Sequence, residues 1–174
     1  MSVLANKKKI LTSLNFYEDF LKTINEEEFS LTPPSGGWSY SEVYSHILGS
    51  NIMSFISIEK CLNKTVAVKT HKEDWKVRLI MFLGRFPPGK ITAPTAIAAL
   101  VKKITKEEAS NLLIKIRKRI AEINPNFKNF DPNYKMKHPR MGYINAKYWL
   151  RFILIHTKHH EKQLLRIAKD FKNH

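Results

Sequence analysis

At 174 residues, with 43% hydrophobic and 26% charged side chains, the chain has the size and composition of one globular domain with a buried core. A single cysteine, Cys61, excludes an intramolecular disulfide framework and a cysteine-rich metal site, and fits a reducing cytoplasm. The net charge of +15 reads either as nucleic-acid or anionic-membrane binding or as a solvated basic surface; the lysines are spread along the chain without a nucleic-acid-binding motif, and an anionic substrate drawn to the positive surface is at least as consistent with it as a nucleic acid.

The N-terminus, Met1 to Lys9, is polar and then basic, with no apolar leader after it. No apolar run approaches the ~18–20 residues of a membrane span, so a soluble cytoplasmic protein without a membrane partner is expected.

Four long helices are predicted. The first covers about Asn6 to Glu28, where Ile10, Leu14, Tyr17, Leu21 and Ile24 recur at helical steps and form one face. The loop Thr32-Pro-Pro-Ser-Gly-Gly37 follows. Ser39 then caps the second helix, with Glu42 completing a capping box and Trp38 and Val43 placed for a hydrophobic staple. This helix runs to about Cys61, and Val43, His46, Ile47, Ser50 and Met53 share a core-directed face. Between Asn63 and Thr105 the pattern is irregular. A short helix is expected around Asp74 to Phe82, then breaks at Phe86-Pro-Pro-Gly-Lys90 and Ala93-Pro94, then another short helix over Thr95 to Val101.

Thr105 and Glu108 make a second capping box. It opens the third helix, whose face is Ala109, Leu112, Ile116, Ile120 and Ile123, and which Asn124-Pro125 ends. Asn124 to Tyr143 reads as an irregular loop rich in proline and aromatics, with no strand pair. Asn145 caps the fourth helix, with Ile144 and Trp149 as its staple pair, and the helix reaches about Phe171. No repeat or domain boundary interrupts the chain. The expected fold is an all-α four-helix bundle of one domain, residues 1–174, with long irregular connections.

The chemistry concentrates in histidines. A spacing of four sets His156 and His160 about 40° apart around the last helix and about 6 Å apart along it. Both lie on the stripe of Trp149, Phe152, Ile153, Leu164, Ile167 and Phe171. Imidazoles buried there without partners are costly, and a metal ion is one way to satisfy them. His46 lies on the core-directed face of the second helix. Three histidines with an open position suit catalytic Zn²⁺, and also Ni²⁺ or Fe²⁺. The bland alternative is three hydrogen-bonded core histidines.

Around them, His159 is a neighbour rather than a fourth ligand, and Gln163 is placed to hydrogen-bond a ligand ring. His138 is either a turn residue or a group at the mouth of the site. Arg140 and Trp38 are candidates to line the pocket. Glu42 is accounted for by its capping box, and Cys61 reads as a buried structural thiol. No Gly-x-Ser-x-Gly, phosphate-cradling loop, His-Glu-x-x-His or Glu-x-x-His pair is present.

The stretch His138-Pro-Arg-Met-Gly142, then Trp149, then His156-Thr-Lys-His-His160-Glu-Lys-Gln163 resembles the C-terminal signature of DinB-like proteins. The closest likeness is to the branch with a His-Pro-x-x-Gly loop and a His-x-x-His-His-x-x-Gln helix. Gly37-Trp38-Ser39, Glu42-Val43 and His46-Ile47 resemble the family's N-terminal signature. The resemblance implies an up-down-down-up four-helix bundle. It also implies a divalent metal on one histidine of the second helix and two of the fourth, matching His46, His156 and His160. The superfamily includes enzymes that transfer low-molecular-weight thiols (bacillithiol, mycothiol or glutathione) to electrophiles, and mycothiol-dependent isomerases. The expected function is therefore a metal-dependent thiol S-transferase acting on small electrophiles. A metal-dependent hydrolase and a non-enzymatic, stress-related metal or small-ligand binding module are the alternatives. A homodimer packing bundle against bundle is the expected assembly.

Overall fold

The computed structural model describes residues 2–88, 101–123, 127–128 and 130–173. Helix α1 spans Val3–Thr23, and its predicted face of Ile10, Leu14, Tyr17, Leu21 and Ile24 is buried throughout. It stops earlier than expected. Ile24 turns extended, and the Asn25 side chain accepts the Glu28 N–H at 2.6 Å, so the acidic run opens a separate short helix, α2, Glu26–Ser30. An asparagine that captures the N–H three residues on favours a cap over a continuing helix.

Helix α3, Tyr40–Leu62, starts at the predicted capping box, with Ser39 and Glu42 bonded reciprocally. Its buried face is Val43, Tyr44, Ile47, Leu48, Asn51, Phe55 and Ile58. Met53 was expected among them but faces solvent, because the face drifts round the helix over six turns. Helix α4, Trp75–Leu83, lies in the crossover where a short helix was expected, with Asp74 as its N-cap and Gly84 ending it in the left-handed conformation at φ 69°. The left-handed backbone at Gly84 favours glycine, and a side chain there would also have to displace the Arg151 guanidinium.

Helix α5, Lys106–Glu122, begins at the Thr105–Glu108 capping box. The short helix expected near 95–101 and the Asn124-Pro125 stop fall almost wholly outside the described residues. Helix α6, Ala146–Lys172, is capped by Asn145, which accepts the Tyr148 N–H at 3.1 Å. Ile144 and Trp149 on either side of the cap are both buried, as a staple pair would be.

Side-chain contacts fix the helix directions. Asn6 near the start of α1 meets Arg151 near the start of α6, and Ser35 beyond the end of α1 meets Asp170 near the end of α6, so these two run parallel. Ser41 bonds Ile104 at the starts of α3 and α5, and Glu59 pairs with Arg119 at their ends, so these also run parallel. Lys106 at the start of α5 reaches the carbonyl of Ile24 at the end of α1, which sets the two pairs against each other. The result is an up-down-down-up four-helix bundle. The parallel α3–α5 pair requires a connection that returns the length of the bundle, which accounts for the long crossover between them.

Before α6 the chain forms a two-stranded antiparallel hairpin, β1 Lys135–His138 and β2 Gly142–Asn145, where no strand pair was expected. Its turn explains the His-Pro-x-x-Gly motif. The His138 Nδ1 accepts the N–H groups of Arg140 and Met141, each at 3.1 Å, and Gly142 takes φ 67° where the second strand begins. A three-residue loop followed by a left-handed glycine is a standard hairpin closure. The crossover adds a bridge, Val68 to Tyr134. There Lys135, 4% exposed, reaches back to Glu73 at 3.2 Å and to the carbonyl of His71, while Asn145 also bonds Glu73. This buried ion pair ties the crossover, the hairpin and the cap of α6 into one unit.

Candidate metal centre

His46 leaves α3 about two turns from its start, and His156 and His160 leave the middle of α6. A polar ladder sets these helices in register. The Tyr17 hydroxyl donates to the Thr157 carbonyl at 2.9 Å, and the Tyr44 hydroxyl donates to the Tyr17 carbonyl at 2.8 Å. Asn51 donates to Thr157 Oγ1 at 3.3 Å, one residue from His156. With backbone and side chains locked in this way, the three rings converge. His156 Nε2 lies 3.2 Å from His46 Nε2 and 3.0 Å from His160 Nε2. The ligand atoms of all three lie within 4.8 Å of one another.

Hydrogen bonding alone does not satisfy this arrangement. Each Nε2 carries either one proton or one lone pair, so His156 Nε2 can make only one good bond to two facing nitrogens. Three lone pairs around one cation satisfy every nitrogen. A tetrahedral ion with Zn–N bonds of about 2.0–2.1 Å sets its ligand nitrogens about 3.3 Å apart, close to the 3.2 and 3.0 Å from His156 to His46 and to His160. The donor set of three imidazoles therefore fits a divalent ion with an open position.

The outer nitrogens are placed for the same tautomer. His160 Nδ1 lies 2.7 Å from Gln163 Oε1, which can only accept, so the proton sits on Nδ1 and the Nε2 lone pair faces the cluster. His156 Nδ1 lies 3.4 Å from Ser50 Oγ. Burial, followed by the neighbouring histidines, holds all three rings neutral: His46 is lowered to about 4, His160 to about 3, and His156 well below the ordinary value. Neutral imidazole is the metal-binding form.

Aromatic rings enclose the cluster. Phe152 stacks on His156 at 5.0 Å, Trp38 lies 5.0 Å from His46, and Phe86 lies 6.3 Å from His156. Trp38 thus lies beside His46. Phe86 was not anticipated, because a Pro-Pro-Gly loop gives no periodicity from which to place it. His159 sits beside His160 at 5.1 Å and against Phe86 at 5.5 Å, outside the converging set. His138 is not among the three converging rings: it packs edge-on at 4.5 Å against Phe152 and serves the hairpin turn. Arg140 is exposed at the hairpin tip, where its charge acts on His138. Cys61 is buried, which pushes its thiol up to about 11.

Burial also lowers His138 to about 4, so its pH effect can be stated with its sign. An unfolded histidine takes its proton near 6.5 and the folded ring resists it until about pH 4. The unfolded state therefore binds more protons in that window, and stability present above it is lost as pH falls from about 6.5 toward 4. His138 alone contributes roughly 3 kcal/mol. Denaturant unfolding of chelator-treated protein should show a steep decline over this window, and His138→Gln a shallower one. Equal slopes for the two proteins would remove His138 from this account.

The family model described as the DinB superfamily matches residues 13–164 of the chain. Among solved structures, the crystal structure of TT2238, a four-helix bundle protein, is similar over 95% of this chain and 99% of that one, with a TM-score of 0.61 and 18% identity. That likeness shows the fold. No curated protein matches the sequence.

Proposed function

The chain belongs to the DinB superfamily, and on that basis we propose that His46, His156 and His160 hold one divalent ion, Zn²⁺, Ni²⁺ or Fe²⁺, at which a low-molecular-weight thiol is transferred to a small electrophile. The observation that carries this reading is the convergence of three neutral Nε2 atoms from two helices on one point. An ion held by the three neutral histidines would keep its full positive charge and would supply the stabilisation that turns a bound thiol into a thiolate at neutral pH.

The chain's own residues favour an external sulfur nucleophile. Cys61 is buried and protonated, so it does not supply the thiolate. Glu42, one turn before His46, is engaged by the Ser39 N–H and hydroxyl at 2.8 Å each and is not placed as a general base for hydrolysis. Gln163 holds His160 in the ligating tautomer. Trp38, Phe86 and Phe152 pack beside the rings. Arg166 and Lys162 act on His159 beside the cluster, and Arg166 also acts on His160, which suits a thiol or an electrophile bearing a carboxylate.

Gln163→Leu should weaken metal binding by about 10–100-fold, the range seen for groups that orient a ligand ring, without altering helicity. Competition with a chelator measures this, and an unchanged affinity would leave Gln163 as a surface amide. The function itself is tested by calorimetric titration of bacillithiol, mycothiol and glutathione into metal-loaded and metal-stripped protein. The account predicts that at least one thiol binds, and only to the loaded form. Equal binding to both forms, or binding of none, contradicts thiol transfer and returns the site to a metal-binding module.

A further inference from the structure

Helix α4 carries apolar side chains on two opposite faces. Val77 and Met81 are buried against the bundle. On the other side Trp75 is 65% exposed, Leu79 46%, Phe82 82% and Leu83 52%. At helical spacing these four fall within an arc of about 100°. Lys76 and Arg78 border that arc on either side, and Lys72 and Arg85 extend the exposed cationic rim beyond both helix ends. The Lys76 ammonium lies 5.7 Å from the Trp75 ring, and Arg78 also reaches the Tyr148 hydroxyl. The nearby acids are engaged: Asp74 caps α4, and Glu73 is paired with Lys135.

We propose that this face docks the protein on an anionic lipid surface, with Trp75, Leu79, Phe82 and Leu83 entering the headgroup–acyl boundary and the cationic rim contacting lipid phosphates and carboxylates. Exposed Trp, Phe and Leu flanked by Lys and Arg have the chemistry of interfacial helices. The rim selects among occupants. A second copy would bring like charges together in a chain of net charge +15, whereas an anionic bilayer complements them. No helix among the described residues is long and apolar enough to cross a membrane, and this mode needs none. It replaces the expectation of no membrane partner with attachment from one side. It is independent of the metal reading, although the chain passes from this face through Gly84 and Arg85 to Phe86, beside His156 and His159.

The test is co-sedimentation of the whole protein with vesicles of phosphatidylcholine alone and of phosphatidylcholine with phosphatidylserine, at physiological salt. The expected result is binding to the anionic vesicles only. Leu79→Glu/Phe82→Glu should weaken it about tenfold or more, and Lys76→Ser/Arg78→Ser should weaken it to a smaller, salt-dependent extent. Leu79 and Phe82 are exposed, so melting of the Glu variant should not change, and Phe82→Ser provides a milder check of this. Undiminished binding by the Glu variant would assign the attraction to overall charge and overturn the proposal. So would absence of binding, a melting temperature that falls with Phe82→Ser because the protein's own chain covers the face, or a wild-type dimer that the Glu variant makes monomeric.

Discussion

Glu73→Ala should destabilise the protein by about 3–5 kcal/mol, because it leaves the Lys135 ammonium buried without its counter-charge. Lys135 is 4% exposed and also contacts the neutral carbonyl of His71, so its ammonium has little access to solvent that could replace the carboxylate. The same substitution frees Asn145 from Glu73 at the cap of α6. The double variant Glu73→Leu/Lys135→Met should recover most of the loss, since an apolar pair of similar volume is often neutral to stability. Guanidinium unfolding of the two single variants and the double one completes the cycle. A single variant that costs less than about 1 kcal/mol would mean that water reaches the pair in solution. The cost should also appear as a loosened hairpin, because this pair joins the backbone bonds from the Lys69 N–H to the Asn133 carbonyl at 2.8 Å and from the Lys135 N–H to the Ala67 carbonyl at 3.2 Å in tying β1 to the crossover.

Metal linkage is the second large effect. A ligand that binds only the folded state at about a hundred times its dissociation constant stabilises that state by about 2.7 kcal/mol. For a chain of this length that corresponds to a rise in melting temperature of roughly 5–10 °C. Wild-type protein stripped of metal should show this rise when Zn²⁺ or Ni²⁺ is restored. His46→Ala, His156→Ala and His160→Ala should each abolish it while leaving the circular dichroism of the bundle intact. A rise retained in all three variants would place the ion elsewhere, for example on His71 or His159.

How much of this was legible in the sequence follows from what each feature depends on. The long helices were readable because their caps and faces are local: Ser39 and Glu42, Thr105 and Glu108, and Asn145 sit where their spacing placed them. The grouping of His46 with His156 and His160 came from spacing, apolar register and family resemblance together, and the structure brings these three to one point. The parts that were missed depend on contacts between distant segments. The hairpin is only four residues a side, too short for the Lys135-Met136-Lys137 alternation to stand out within a loop rich in proline. The same four residues gave no sign that Lys135 would be buried, because its partner Glu73 is far away in sequence. Asn25 ended α1 early through a single side-chain bond in an otherwise continuous helical pattern. His138 was open between the metal mouth and the turn, and only the backbone N–H groups of Arg140 and Met141 showed what its Nδ1 does.

Whether three histidines from two helices share one ion is tested first by the metal content of protein purified without a histidine tag or added metal. Elemental mass spectrometry on wild type and His156→Ala should find about one Zn, Ni or Fe per wild-type chain and almost none in the variant, as expected for a site with three protein ligands. No metal in either protein, even after reloading, or equal metal in both, would contradict the account and leave a helical bundle with three core histidines.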